Sequence, residues 1–160
     1  MSVTDSTTTL AGNAGHIKDL GEYTYFTMDV CIKCSPEELF EFLKDPWNLE
    51  KWTKVFRNLR TYQGNIYKFL HDYQGLQEDE DCYCELKTDK SSMIVDFYWG
   101  DEPGTYWGYA SSRVIPFNGK SIYVFSLFRF KEKVGEKYRN FTKIIQDELN
   151  LLKNIMEKRS

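Results

Sequence analysis

The chain lacks any apolar stretch near the ~20 residues that a membrane-spanning helix needs, and it lacks a cluster of basic residues. Lys plus Arg number 21 against 24 Asp plus Glu, a net charge of −3, with the cations scattered along the sequence. Nucleic-acid affinity rests on bunched positive charge, so no nucleic-acid partner is expected. Met1 to Gly15 hold neither a basic start nor an apolar block; they read as a loose tail rather than a signal peptide. The four cysteines, Cys31, Cys34, Cys82 and Cys84, are spaced as CxxC and CxC within strand-like stretches. Residues three apart in a strand point to opposite faces, so Cys31 and Cys34 cannot grip one ion, and neither a metal nor a cofactor is expected. Four unpaired thiols suit a reducing compartment, which makes cytoplasm the expected location.

What the sequence does have is rings. Of 160 residues, 16% are aromatic, from 11 Phe, 11 Tyr and 4 Trp. A chain of this length buries roughly 70% of its unfolded surface and holds a core without staples. So many rings either fill that core or line something hollow. The organisation expected is a flexible tail over 1–20 and a single domain over 21–160.

From Glu22 to Cys34 apolar residues alternate with polar ones, with Phe26, Met28, Val30 and Ile32 on one face, which predicts a long first strand. Ser35-Pro36-Glu37-Glu38 follows. Ser35 is a helix N-cap, Pro36 suits the first helical position, and Glu38 completes a capping box. Leu39, Phe40, Phe42 and Leu43 form the buried stripe of that helix, and a second short helix runs from Pro46 through Trp52. Period two then returns for about 75 residues, predicting strands near Arg57 to Gln63, Ile66 to Tyr73, Cys82 to Thr88, Ser92 to Trp99, Thr105 to Pro116 and Ser121 to Lys131. Asn118-Gly119 marks a tight hairpin. The acidic run Glu78-Asp79-Glu80-Asp81 has neither the alternation nor the glycine of a calcium loop and reads as a solvated turn. From about Glu136 to Lys158, Tyr138, Phe141, Ile145, Leu149, Leu152 and Met156 recur at helical spacing.

This order, with Ser35-Pro36-Glu37-Glu38-Leu39-Phe40 and Asp45-Pro46-Trp47-Asn48-Leu49-Glu50-Lys51-Trp52, resembles the START and birch-allergen superfamily, also called SRPBCC, and within it the polyketide cyclase/dehydrase-like branch. The resemblance spans about 22 to 158. It implies an α+β helix-grip fold: a curved seven-stranded antiparallel sheet wrapped around a long C-terminal helix, two short helices after the first strand, and an apolar cavity between. The glycine-rich loop of plant members is missing at Tyr62-Gln63-Gly64-Asn65, and there is no Cys and His pattern for a Rieske domain.

If Lys68 and Asp72 face water, Tyr67, Phe69, His71 and Tyr73 face the cavity, and on the next strand Cys82, Cys84 and Leu86 point in while Tyr83, Glu85 and Lys87 point out. His71, one of two histidines, is the candidate acid or base; burial among rings would keep it neutral, with one donor and one acceptor. The plain alternative is a histidine that bonds a neighbour and packs. Asp96 and Arg113 are charges inside apolar strands that could orient a ligand, although register favours the wet outer face for Asp96. Tyr67, Phe69, Tyr73, Tyr98, Tyr109 and Trp107 are the candidate ligand-binding residues, with the register of the last strands left open.

The function expected is binding of a small hydrophobic or aromatic molecule in a cavity of roughly a few hundred Å³. The alternative is a cyclase, aromatase or dehydratase acting on a biosynthetic intermediate, with His71 moving protons. A partner-binding scaffold would instead show a contiguous exposed apolar patch. Whether the chain forms a homodimer is left open.

Overall fold

The computed structural model describes residues 16–73, 76–130, 132 and 141–159, with side chains for all of these except 16, 71–73 and 76–80. Alternation builds the sheet. Strand β2 (Tyr23–Ile32) buries Val30 and Ile32 and exposes Cys31 between them. Then come β3 (Phe56–Gln63), β4 (Ile66–Tyr73), β5 (Leu76–Asp89), β6 (Ile94–Gly100), β8 (Gly108–Phe117) and β9 (Lys120–Phe130). They form one seven-stranded sheet in the order β2-β9-β8-β6-β5-β4-β3 with every pair antiparallel. The Asn118-Gly119 hairpin forms as expected: both residues are left-handed, with φ of 48° and 76°, the geometry a two-residue turn needs to match strand twist.

Helix α1 (Pro36–Leu43) begins where the sequence placed it. The Ser35 hydroxyl accepts the Glu38 N–H at 3.2 Å, and Leu39, Phe40, Phe42 and Leu43 are buried. The Asp45 carboxylate accepts the Trp47 N–H at 3.1 Å and starts a 3-10 turn (Pro46–Asn48) that runs into α2 (Leu49–Trp52). Helix α3 (Phe141–Arg159) packs on β2 and α2 and buries Phe141, Ile145, Leu149, Leu152 and Met156 against the sheet's concave face. Tyr138, expected on the same stripe, lies outside the described residues.

Several details depart from the sequence reading. The acidic run belongs to a strand, because β5 starts at Leu76 and pairs Asp81 with Leu70; the Arg60 and Lys68 side chains of the two preceding strands carry the charges that meet Asp81. His16–Ile17 forms a two-residue strand, β1, parallel to β7 (Thr105–Tyr106), and the Lys18 N–H donates to the Tyr106 carbonyl at 2.6 Å. This short strand lies within the segment read as tail. The strand expected from Thr105 to Pro116 is interrupted at Trp107, whose N–H donates to the Trp99 carbonyl. That break sets the register left open: Gly108, Ala110, Ser112 and Val114 turn in, while Tyr109, Ser111, Arg113 and Ile115 turn out.

Candidate functional site

The concave face and the helices enclose an apolar space. Its walls come from α2 and the link after it (Leu49, Trp52, Val55), from the sheet (Phe56, Phe97, Trp99, Phe125) and from α3 (Phe141, Ile145). Six of these residues are aromatic, and their rings meet edge to face or tilted: Trp52 on Phe97 at 6.4 Å, Phe56 on Trp99 at 6.4 Å, Phe97 on Phe125 at 6.3 Å. Glycine makes one such approach feasible. A Cβ at Gly108 would lie 2.1 Å from the Trp99 indole, so Trp99 can lie against the β8 backbone only because position 108 has no side chain.

The void itself measures about 30 Å³, room for a water or two rather than a ligand. The hollow of a few hundred Å³ expected from the sequence is thus closed by rings in this state of the molecule.

Two charged side chains enter this apolar region. Glu148, on the inward face of α3, is 3% exposed and lines the void; its Oε1 accepts the Lys54 N–H at 2.8 Å. Burial pushes its carboxyl up to about 7, against the opposing pull of that N–H and of the Lys54, Arg57 and Arg129 charges. Arg129, on the inward face of β9, is 2% exposed. Its guanidinium carbon lies 4.2 Å from the Phe141 ring centroid and 5.9 Å from those of Trp99 and Trp107, an arrangement favoured by the negative faces of the rings.

Of the residues singled out from the sequence, Phe69 is fully buried against Phe56, with centroids 4.5 Å apart. Tyr67 is half-buried beneath Trp47, edge to face at 5.5 Å; Trp47 itself is 47% exposed. Trp107 is buried beside Trp99. The backbone of His71 pairs with that of Phe56, while the side chains of His71 and Tyr73 lie outside the described residues. The remaining candidates are on the outer face. Asp96 and Tyr98 alternate with the inward Val95, Phe97 and Trp99. Tyr109 stacks on Tyr98 at 4.9 Å, and its hydroxyl donates to Asp96 Oδ2 at 3.4 Å. Arg113 is exposed between the buried Ser112 and Val114. Asp96 and Arg113 therefore lie on the outer face of the sheet and do not line the void.

That outer face is nevertheless partly dry. Glu85, expected to be wet, is 4% exposed, and it accepts the Tyr106 hydroxyl at 2.7 Å. Burial pushes the Tyr98 phenol up to about 12 and raises that of Tyr106 further, with the hydrogen bond to Glu85 adding to it. The sequence reading missed Glu148 and Arg129 as site residues. The signals were present: Arg129 continues the inward alternation Tyr123, Phe125, Leu127, and Glu148 falls on the stripe of Phe141, Ile145 and Leu152. Among the described residues no three His, Cys, Asp or Glu side chains gather as a metal would require; Cys31 is exposed and Cys34 buried.

An antiparallel sheet closed on a C-terminal helix, with a ring-lined interior between them, defines the helix-grip class. Within it the chain belongs to the START-like superfamily, whose domain model matches residues 20–115. No curated protein matches it in sequence. Among solved structures it is similar to the Zhui aromatase/cyclase from a Streptomyces species, with a TM-score of 0.70 at 9% identity over 86% of this chain and 96% of that one. It is also similar to Ara h 8.0201, with a TM-score of 0.62 at 11% identity over 86% and 99%. A conserved protein from Geobacillus kaustophilus gives a TM-score of 0.63 at 16% identity over 84% and 96%. At such identities the likeness is one of fold. No helix among the described residues is long and apolar enough to cross a membrane.

Proposed function

We propose that the protein binds a small hydrophobic or aromatic molecule, such as a lipid, a polyketide or a related metabolite, between the sheet and α3. The observation that carries this reading is the interior void walled by rings and aliphatic side chains, with a single carboxyl among its lining residues; apolar walls with few polar groups are the usual make-up of a ligand site. Entry requires the rings to move apart, since the void admits no ligand as it stands. Native mass spectrometry of freshly purified protein should show a bound metabolite, and added apolar aromatics should raise the melting temperature. Ala110, fully buried on the wall, provides the control: Ala110→Phe occupies the void and should remove the stabilisation. Apolar aromatics that leave the wild-type melting temperature unchanged, with no bound species in the spectrum, overturn this reading.

A second reading is favoured by the position of Glu148. A cavity carboxyl held near neutrality can exchange a proton with a bound substrate, and the fold is shared with an aromatase/cyclase. On this reading the protein is a cyclase, aromatase or dehydratase, with His71 and Glu148 as the proton-moving groups. His71→Ala should abolish turnover of a poly-ketone chain while retaining its binding; full turnover removes His71 from the mechanism.

A further inference from the structure

This inference rests on the binding reading above and concerns which molecules the interior selects. The side chains that bring polar atoms to the lining of the void are Thr53, Glu148 and the indoles of Trp52 and Trp99. Two of them are engaged: the Thr53 hydroxyl donates to the Leu49 carbonyl at 2.7 Å, and Glu148 Oε1 accepts the Lys54 N–H at 2.8 Å. Among the described residues, one buried polar atom of this lining has no hydrogen-bond partner, Nε1 of Trp99. Trp99 is 5% exposed, so solvent does not serve its N–H either. The indole meets Phe56 and Trp107 edge to face at 6.4 Å and has Arg129 over its ring, none of which offers the lone pair that a full hydrogen bond needs. Nε1 lies over Gly108, where a Cβ would come within 2.1 Å of it; Ala110, the next inward residue of β8, is already part of the wall.

A buried donor left unmet is costly, and a guest that meets it binds the better for it. An indole N–H donates and cannot accept, so the matching group is an acceptor. An anionic acceptor would exchange water for walls that are mostly apolar, a penalty that a neutral one largely avoids. A hydroxyl adds a donor that requires a partner of its own. A carbonyl adds none, and its oxygen is the size of a water, so it fits the void as it stands; only the attached ring has to part the aromatic walls. We propose that the interior selects flat aromatic molecules bearing a neutral carbonyl, whose oxygen enters the void and accepts the Trp99 N–H. No covalent bond forms or breaks.

The experiment titrates the full chain with two planar probes of one shape, acetophenone and α-methylstyrene, which differ only in having C=O or C=CH2. Trp99→Phe keeps an aromatic ring and removes the N–H. It should raise the Kd of acetophenone about tenfold relative to that of α-methylstyrene, the effect of leaving a buried carbonyl without its donor. The infrared carbonyl stretch of acetophenone should fall on binding to the wild type, compared with its position in hexane, and return toward that position in the variant. If Trp99→Phe does not fold, the chain grown with 3-benzothienylalanine in place of tryptophan, which keeps the bicyclic shape and lacks the N–H, takes its part. A ratio of the two Kd values unchanged by loss of the N–H, or a stretch left at its hexane position, overturns the carbonyl selection and leaves the binding reading standing. Binding of neither probe by the wild type overturns both.

Discussion

Replacing Glu148 by Gln should stabilise the protein, and only on one side of neutrality. The carboxyl sits at about 7 instead of 4.5 because burial disfavours its charged form. The folded chain therefore keeps a proton that the unfolded chain releases between about pH 4.5 and 7. Stability from this group is full below the unfolded value, declines as pH rises through that window, and is lost entirely above about 7. Moving one carboxyl from 4.5 to about 7 corresponds to about 3 kcal/mol at ~1.4 kcal/mol per pKa unit. Glutamine keeps the acceptor for the Lys54 N–H but cannot ionise. At pH 5 the two proteins should melt almost together; at pH 8 the variant should melt higher, by roughly 6–12 °C for about 3 kcal/mol in a chain of this size. Every other group titrates alike in both proteins, so the difference curve isolates this one. Thermal melts of the pair across pH 5 to 9 are the assay, and a gap between the melting temperatures that stays constant with pH refutes the reasoning.

Three further substitutions probe the frame around the site. Tyr106→Phe removes the 2.7 Å donor to the buried Glu85 and should cost about 2–3 kcal/mol in urea unfolding; an unchanged midpoint would mean that water replaces the hydroxyl. Gly108→Ala forces a methyl to within 2.1 Å of the Trp99 indole. It should destabilise by about 1–3 kcal/mol and shift the tryptophan emission, and an unaltered spectrum with an unaltered melt contradicts the packing described. Ser35→Ala removes the α1 cap at a cost of about 1 kcal/mol, which Ser35→Thr should largely restore.

The features legible in the sequence were those whose cause is local. Ser35-Pro36 starts a helix and Asn118-Gly119 closes a hairpin because the chemistry that fixes φ, ψ and the first hydrogen bonds resides in those few residues. The order of the six strands from β3 to β9 follows the short links between alternating segments, whereas the pairing of β2 with β9 has no such local cause. Residues whose surroundings are set by distant strands were hidden. Glu85 looks wet by alternation alone, and it is dry because Tyr106 approaches from a strand that begins 20 residues later. The faces of Tyr106 and Trp107 could not be read from alternation because the chain breaks between β7 and β8, where the Trp107 N–H donates to the Trp99 carbonyl. Arg129 and Glu148 each interrupt an apolar stripe with one charge, which in a single element reads as an exception. Their meaning appears only when β9 and α3 face the same space.

The excess of rings thus has one cause on both counts that the sequence left open. The same concave face that packs Phe97, Trp99 and Phe125 against Trp52 and Phe141 is the face that the ligand proposed above would enter. A cavity held open would gain most from any molecule of the right volume. One closed by tilted and edge-to-face rings gains only from a molecule that restores, on insertion, the contacts those rings give up, each pair being worth about 0.5–1.5 kcal/mol beyond its buried area. Flat aromatic ligands meet that condition, because they can slide between rings and keep the same offset geometry, whereas flexible chains also lose conformational freedom on being ordered. With the walls supplying the shape, selectivity on the binding reading proposed above should follow planarity: a flat aromatic hydrocarbon should outbind a linear one of equal carbon number.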